Sequence, residues 1–291
     1  MQHFKLLLVV ALMLILGGCI HDDLKDCPTI NLTFSYFADE GEEVIEDYIH
    51  SGKLFIYDEQ GALVCTQAIS NDKLGKGKYV SLALPTGKYT AICWGNAEAN
   101  TVLTNTDQMN LARLSAHGYG TSTPISTNDP LYWGQKEITV ASNPDRQKVE
   151  LVQMHSAHIK LDIRLKGLQH ATATIHVHSL QPEVDFINDA TTAPLTTYIP
   201  QVVEKDNIQR AFLHVLRFGS SNTIQVEVFK NQQAESLKVD LNEILRENDL
   251  FSLLSSSREE ITLTLLIEFF GLDAEVTIPA WDQQSGNFYV D

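Results

Sequence analysis

Seven residues in the second half of the chain, Ile159-Lys160-Leu161-Asp162-Ile163-Arg164-Leu165, alternate apolar and charged without a break and stop at Gly167. A strand points successive side chains to opposite faces, so this period of two makes one apolar face and one wet face. Such a segment has to bury its apolar face against a second layer. The same period recurs at Ile30, Leu32, Phe34 and Tyr36. Lys53–Tyr57 and Ala62–Cys65 flank Gly61 and read as a hairpin, and Tyr79–Leu84 and Lys88–Trp94 flank Pro85-Thr86-Gly87 and read as another. The stretch from Gly95 to Pro130, rich in Asn, Thr, Ser and Gly, leaves room for a short helix near Asp107–Leu114. Strands resume at Leu131–Gly134, at Ile138 and Val140, and at Val149 and Leu151, then at Ala173–Val177, Ile224–Val228, Ile261–Phe270 and Ala274–Ile278. Asp240, followed three residues later by Glu243, predicts the N-cap of a short helix. Two runs of strands with little helix predict an all-β chain of two β-sandwiches, over 29–147 and 148–291, joined near Asp145–Lys148.

The other end of the chain constrains where that body sits. Met1–Lys5 precede an apolar run from Leu6 to Leu16, closed by Gly17-Gly18-Cys19, which is a secretory signal by length and flanks. Leu16-Gly17-Gly18-Cys19 resembles a bacterial lipobox. The expectation is cleavage after residue 18, acylation of Cys19, and an acidic tether over 19–28. A single acyl chain holds a protein only marginally and two or three hold it durably. Acidic residues close behind the cysteine (Asp22, Asp23, Asp26) also resemble a surface-export signal of lipoproteins in some Gram-negative anaerobes. Removing residues 1–18 takes away one lysine and leaves 20 basic against 37 acidic side chains, a net charge of about −17. That balance repels phosphate backbones, so nucleic acid is excluded as a partner. With Cys19 lipidated, Cys27, Cys65 and Cys93 remain; an oxidising envelope leaves one disulfide among them open, with an odd thiol over.

Residues able to carry chemistry are few. His155 and His158 lie three apart, and His176 and His178 two apart on one strand face. Two such imidazoles with a carboxylate could share a metal, but no H-E-x-x-H spacing accompanies them, and surface strand histidines are the expected outcome. Gly75-Lys76-Gly77-Lys78 lacks the frame of a phosphate loop, and no G-x-S-x-G elbow is present. No enzyme, cofactor or metal is therefore expected. Trp94, Trp133 and Trp281 with Tyr132 read as core residues, with a sugar-stacking face as the alternative.

Several short motifs follow one another behind the lipobox: Cys27-Pro28, Phe55-Ile56-Tyr57-Asp58, Leu84-Pro85-Thr86-Gly87-Lys88-Tyr89, Trp94-Gly95-Asn96 and Leu131-Tyr132-Trp133-Gly134. Val149-Glu150-Leu151 and Ile278-Pro279-Ala280-Trp281 extend the series into the second half. In this order they resemble the fimbrillin-A-associated anchor proteins, the lipid-bound base subunits of fimbrillin-type (type V) pili. The resemblance implies two transthyretin-like sandwiches, an outer-membrane position facing the cell surface, and fimbrillin subunits as partners, held by strand addition. It also implies an influence on fibre length. A surface glycan-binding lipoprotein of a polysaccharide-uptake system is the alternative. Stalk fimbrillins, as the resemblance implies, lose a leader to an arginine-directed protease. Here the first arginine is Arg113, so Ile30–Tyr36 is expected to stay attached to Cys19.

Overall fold

The computed structural model describes residues 29–39, 41–141, 148–168, 171–218, 223–231, 236–248, 250, 254, 258–270 and 273–279. The first half runs β1 (Ile30–Ser35), α1 (Ile45–Tyr48), β2 (Ser51–Asp58), β3 (Leu63–Ser70), β4 (Val80–Leu82), β5 (Gly87–Gly95), β6 (Thr101–Thr104), β7 (Arg113–Ala116), β8 (Tyr132–Val140), β9 (Lys148–Gln153) and β10 (His155–Ser156). The second half runs β11 (His158–Lys166), β12 (Ala173–Leu180), β13 (Glu183–Asp185), β14 (Thr196–Tyr198), β15 (Val202–Lys205), β16 (Ile208–Leu216), β17 (Gln225–Lys230), β18 (Ser236–Asp240), α2 (Leu241–Glu247), β19 (Thr262–Phe270) and β20 (Asp273–Thr277).

Alternation explains how these strands layer. Ile30, Leu32 and Phe34 of β1 point inward and meet Leu54, Ile56, Cys93 and Ile138 from the facing sheet. The two sheets of this first sandwich have the orders β4-β1-β9 and β10-β8-β5-β2-β3. In the second sandwich the orders are β15-β16-β11-β19-β20 and β14-β12-β17-β18. Leu161, Ile163 and Leu165 of β11 pack there against Ile175, Val177 and Val226. The fold is all-β, and the 53–65 hairpin forms as expected, with Gly61 at φ +76° in its turn. Asp240 caps α2 by accepting from the backbone N–H groups of Asn242 and Glu243.

Three expectations are corrected. Tyr79–Leu84 and Lys88–Trp94 do not pair with each other: β4 joins β1, while β5 lies between β2 and β8. The Pro85-Thr86-Gly87 reversal carries the chain from one layer of the sandwich to the other. No helix forms over 107–114; turns pinned by Met109 N–H on Gly61 O and Ala112 N–H on Gln108 O lead straight into β7. The changeover between sandwiches also falls later than 147/148. β9 lies parallel to β1 over six residue pairs and β10 pairs with β8, so the second sandwich begins at β11. Parallel partners come from distant sequence, and no local pattern announces them. Asp145 and Arg146 lie outside the described residues.

A third, small sheet crosses between the halves. Its order is β13-β7-β6, so Glu183–Asp185 of the second half pairs with Arg113–Ala116 of the first. Beneath it a separate apolar cluster joins Phe55, Tyr57, Ile92 and Trp94 to Val184, Phe186 and Leu216.

Candidate functional site

Three of the motifs singled out in the sequence, around Phe55–Asp58, Trp94–Asn96 and Leu131–Gly134, reach the seam between the sandwiches. Trp94 is fully buried in the cluster that joins the halves. A Cβ on Gly95 would sit 2.8 Å from Ile49 Cγ2, so only glycine lets β5 pass there. Asn96 adopts a left-handed backbone at φ +56°. Its side chain accepts from His50 N–H at 2.8 Å and donates to Tyr48 O at 2.8 Å and Pro130 O at 3.1 Å. That one amide ties two other chain segments, 48–50 and Pro130, to the end of β5. Trp133 donates its indole N–H to Phe186 O at 2.8 Å, and a Cβ on Gly134 would meet Gln153 O at 2.6 Å.

Glu260 is the charged centre of the same seam. Its Oε1 accepts from the hydroxyls of Tyr36 at 2.6 Å and Tyr132 at 2.8 Å, and its Oε2 pairs with Lys160 Nζ at 2.6 Å. Burial pushes the Glu260 carboxyl up, but Lys160 and the Tyr36 hydrogen bond outweigh it and hold the group below the usual range. Burial, and then the Glu260 charge, push both tyrosine hydroxyls far above theirs. Asp39 accepts from the backbone N–H groups of Glu259 and Glu260, which ties the loop after β1 to the entry of β19. No sequence pattern marked Glu260, Tyr36 or Lys160 as partners.

The histidine pairs separate. His155 bonds Glu259 Oε1 at 2.7 Å through Nδ1, and that hydrogen bond raises its pKa. His158 is buried, with Nδ1 on Leu131 O at 2.9 Å, and burial pushes its pKa down to about 3. His214, whose ring lies 5.0 Å from that of His158, is pushed down to about 4 by burial. His176 and His178 do share a face of β12, and the structure adds Glu227 of β17, directly opposite His176 in register. Nothing in the sequence joined Glu227 to the histidines, although the Ile224–Val228 alternation placed it on an outward face.

Cys65 and Cys93 are both free thiols. They stand on β3 and β5 with β2 between, roughly 10 Å apart by strand spacing and beyond the reach of a disulfide. Burial pushes the Cys93 thiol up to about 12. Cys19, Cys27 and Trp281 lie outside the described residues. Trp94 and Tyr132 are core residues and Trp133 is half-buried, so these rings make no exposed sugar-stacking face.

What remains open are sheet edges. Most terminal strands are guarded in the usual ways, being short or charged. β4 and β14 have three residues each; β15, β18 and β20 carry two charged residues each within four or five. The outer edge of β9 faces β8, where Lys136 pairs with Glu150 at 3.4 Å. β3 differs. Its eight residues, Leu-Val-Cys-Thr-Gln-Ala-Ile-Ser, hold no charge and no proline, and among the described residues it pairs along its length on one side only, with β2. Among the described residues its other side is bridged only at the start, where Leu63 N–H reaches Asp107 O. Val64, Thr66 and Ala68 are exposed.

Two β-sandwiches in tandem, joined by a small shared sheet, place the chain in the class of all-β double-sandwich proteins. The model of the fimbrillin-A associated anchor proteins Mfa1 and Mfa2 matches residues 24–285, and the chain belongs to that family. Among solved structures it is similar to a candidate adhesin from Bacteroides ovatus, with a TM-score of 0.68 at 17% identity over 91% of this chain and 97% of that one. The fimbrial anchor protein Mfa2 from Porphyromonas gingivalis matches with a TM-score of 0.62 at 13% identity, over 87% and 96% of the respective chains. A candidate polysaccharide-binding protein from Bacteroides thetaiotaomicron matches at 0.68 and 11% identity, over 85% and 95%. No curated protein matches the chain in sequence. At these identities the structural likeness speaks for the fold.

Proposed function

We propose that this chain is the membrane-bound base of a fimbrial fibre, lipidated at Cys19, held at the outer membrane facing the cell surface, and joined to the first fibre subunit by strand addition at β3. Family membership supports the fimbrial context. The observation that carries the site is the uncharged, eight-residue edge of β3, where the backbone N–H and C=O groups of alternate residues turn away from β2 and, beyond Leu63, meet no partner strand among the described residues. An added strand would pair with that backbone for affinity and meet Val64, Thr66 and Ala68 for register. β1 cannot play this role, because β4 and β9 occupy both its sides. That arrangement agrees with a β1 that stays joined to Cys19, with the partner's strand taken up elsewhere. By seating the first subunit, the base also influences fibre length.

The test is a double substitution, Thr66→Lys with Ala68→Lys, in the full chain produced in its own cells. Both positions are exposed, so the fold stands while two ammonium groups guard the edge. Fibre subunits should no longer co-purify with the variant, and fibres should be shed into the medium, longer than normal. Undiminished retention of fibres would remove β3 as the acceptor.

A further inference from the structure

The geometry points to a divalent transition-metal site on the outer face of the four-stranded sheet, formed by His176, His178 and Glu227. The two imidazoles leave the same face of β12, and Glu227 projects beside them from β17, opposite His176. One ligand atom from each of the three lies within 4.8 Å of the other two. Ligands about 2.1 Å from a zinc ion in tetrahedral array stand about 3.4 Å apart. The group therefore needs to close by little more than about 1 Å at one imidazole. His178 Nε2 and Glu227 Oε2 are already 2.9 Å apart.

The surrounding groups are arranged as ligation requires. His178 Nδ1 faces Thr197 Oγ1 of β14 at 2.8 Å. When Nδ1–H donates to the threonine oxygen, Nε2 can turn its lone pair to an ion, which then takes the place of the proton that Nε2 shares with Glu227 Oε2 in the hydrogen-bonded pair. This is the outer-shell arrangement that metal-bound histidines use. Glu227 is divided in the same sense. Its Oε1 accepts from Ser236 Oγ at 2.5 Å and pairs with Lys238 at 3.5 Å, which orients the carboxylate and leaves Oε2 for the ion. The ring of Phe229, 4.9 Å from that of His176, walls one side. Both imidazoles and the carboxylate are partly exposed, so an ion has an entry path and water can complete its shell. Two imidazoles with one carboxylate suit zinc and its first-row neighbours and suit magnesium or calcium poorly. The expectation of no metal, drawn from the missing H-E-x-x-H spacing, applies to helices. On a sheet the equivalent cluster is made by i, i+2 residues and a cross-strand partner.

Cobalt titration of the full chain, purified in detergent and freed of metal with a chelator, tests the site. One equivalent of Co²⁺ should bind with a saturable visible absorption band, and Zn²⁺ should displace it. His176→Ala, His178→Gln and Glu227→Gln should each weaken binding at least tenfold. Thr197→Val, which removes only the outer partner, should weaken it by a smaller, measurable factor. Far-ultraviolet circular dichroism identifies any variant that fails to fold, and Zn²⁺ raising the melting temperature of the unaltered chain but not of His178→Gln is an independent readout. Absence of saturable binding to the unaltered chain overturns the inference. So does binding that persists in both histidine variants, which would place the ion at another histidine.

Discussion

The hydroxyl of Tyr36 donates to Glu260 Oε1 at 2.6 Å across 224 residues of chain, and Tyr132 and Lys160 complete the ring of partners around the same carboxylate. The first sandwich ends β1 on this contact and the second begins β19 beside it. Removing the carboxylate strands a lysine and two tyrosine hydroxyls together. Glu260→Ala is expected to cost about 3 kcal/mol, and Tyr36→Phe about 1 kcal/mol, in urea unfolding at neutral pH. Because the two share one interaction, the double variant should lose less than the sum. Strict additivity would show that the contact does not couple the halves.

Acid should loosen the same seam. Unfolded histidine titrates near about 6.5, whereas His158 and His214 are held down to about 3 and about 4 by burial. Each therefore binds fewer protons folded than unfolded in that window, so stability is full above about 6.5 and falls as pH drops toward 4. The slope is on the order of 1.4 kcal/mol per pH unit for each histidine. His176, also lowered by burial, acts in the same direction, while His155, raised by its bond to Glu259, opposes them. Glu260, held low, adds its own loss at still lower pH. Urea midpoints measured from pH 7.5 to 5 should fall, and His214→Gln should flatten the fall. A midpoint independent of pH would contradict a neutral buried pair.

Cleavage of the connection before β9 should not release two bodies. Trypsin acting at Arg146 would leave the β1–β9 ladder, the β7–β13 pairing and the Trp94–Phe186 cluster intact. The nicked chain should elute from gel filtration as one species and part only in denaturant. Two separate peaks without denaturant would show that the sandwiches stand independently.

The tether has its own test. Cys19→Ala should move the protein from the membrane to the soluble fraction and abolish incorporation of labelled fatty acid. Continued sedimentation with membranes, with label still incorporated, would place the attachment elsewhere.

Strands with strong alternation were legible from sequence, and β11 and β19 lie within a residue or two of their expected bounds. What local pattern could not supply was partnership. A Pro-Thr-Gly reversal serves a hairpin and a crossing between layers equally well, and here it serves the crossing. β16, Ile208–Leu216, was passed over although Ala211, Leu213 and Val215 alternate cleanly and are fully buried. Glu260 follows Arg258 and Glu259, and no local pattern sets it apart from them; only the approach of Tyr36 and Lys160 from other strands makes it a buried centre. The anchor-family motifs were read correctly as a set, and those around Phe55, Tyr57, Trp94, Leu131 and Trp133 proved to hold the seam together. The open edge lay in β3, whose significance is the absence of charge.

The placement of β1 between an antiparallel and a parallel neighbour has a mechanical consequence. In a base subunit bound through Cys19, tension from the fibre enters the folded body at the N-terminal end of β1 and runs along that strand. Its hydrogen bonds to β4 and β9 lie across the pull, so they are loaded together in shear. A hairpin strand pulled from its open end would instead unzip one bond at a time. Six paired positions on the β9 side share the load, and detaching β1 would also drag Ile30, Leu32 and Phe34 out of the core at once. In such a tethered subunit, β1 would stand where a steady drag meets the whole sandwich rather than one bond.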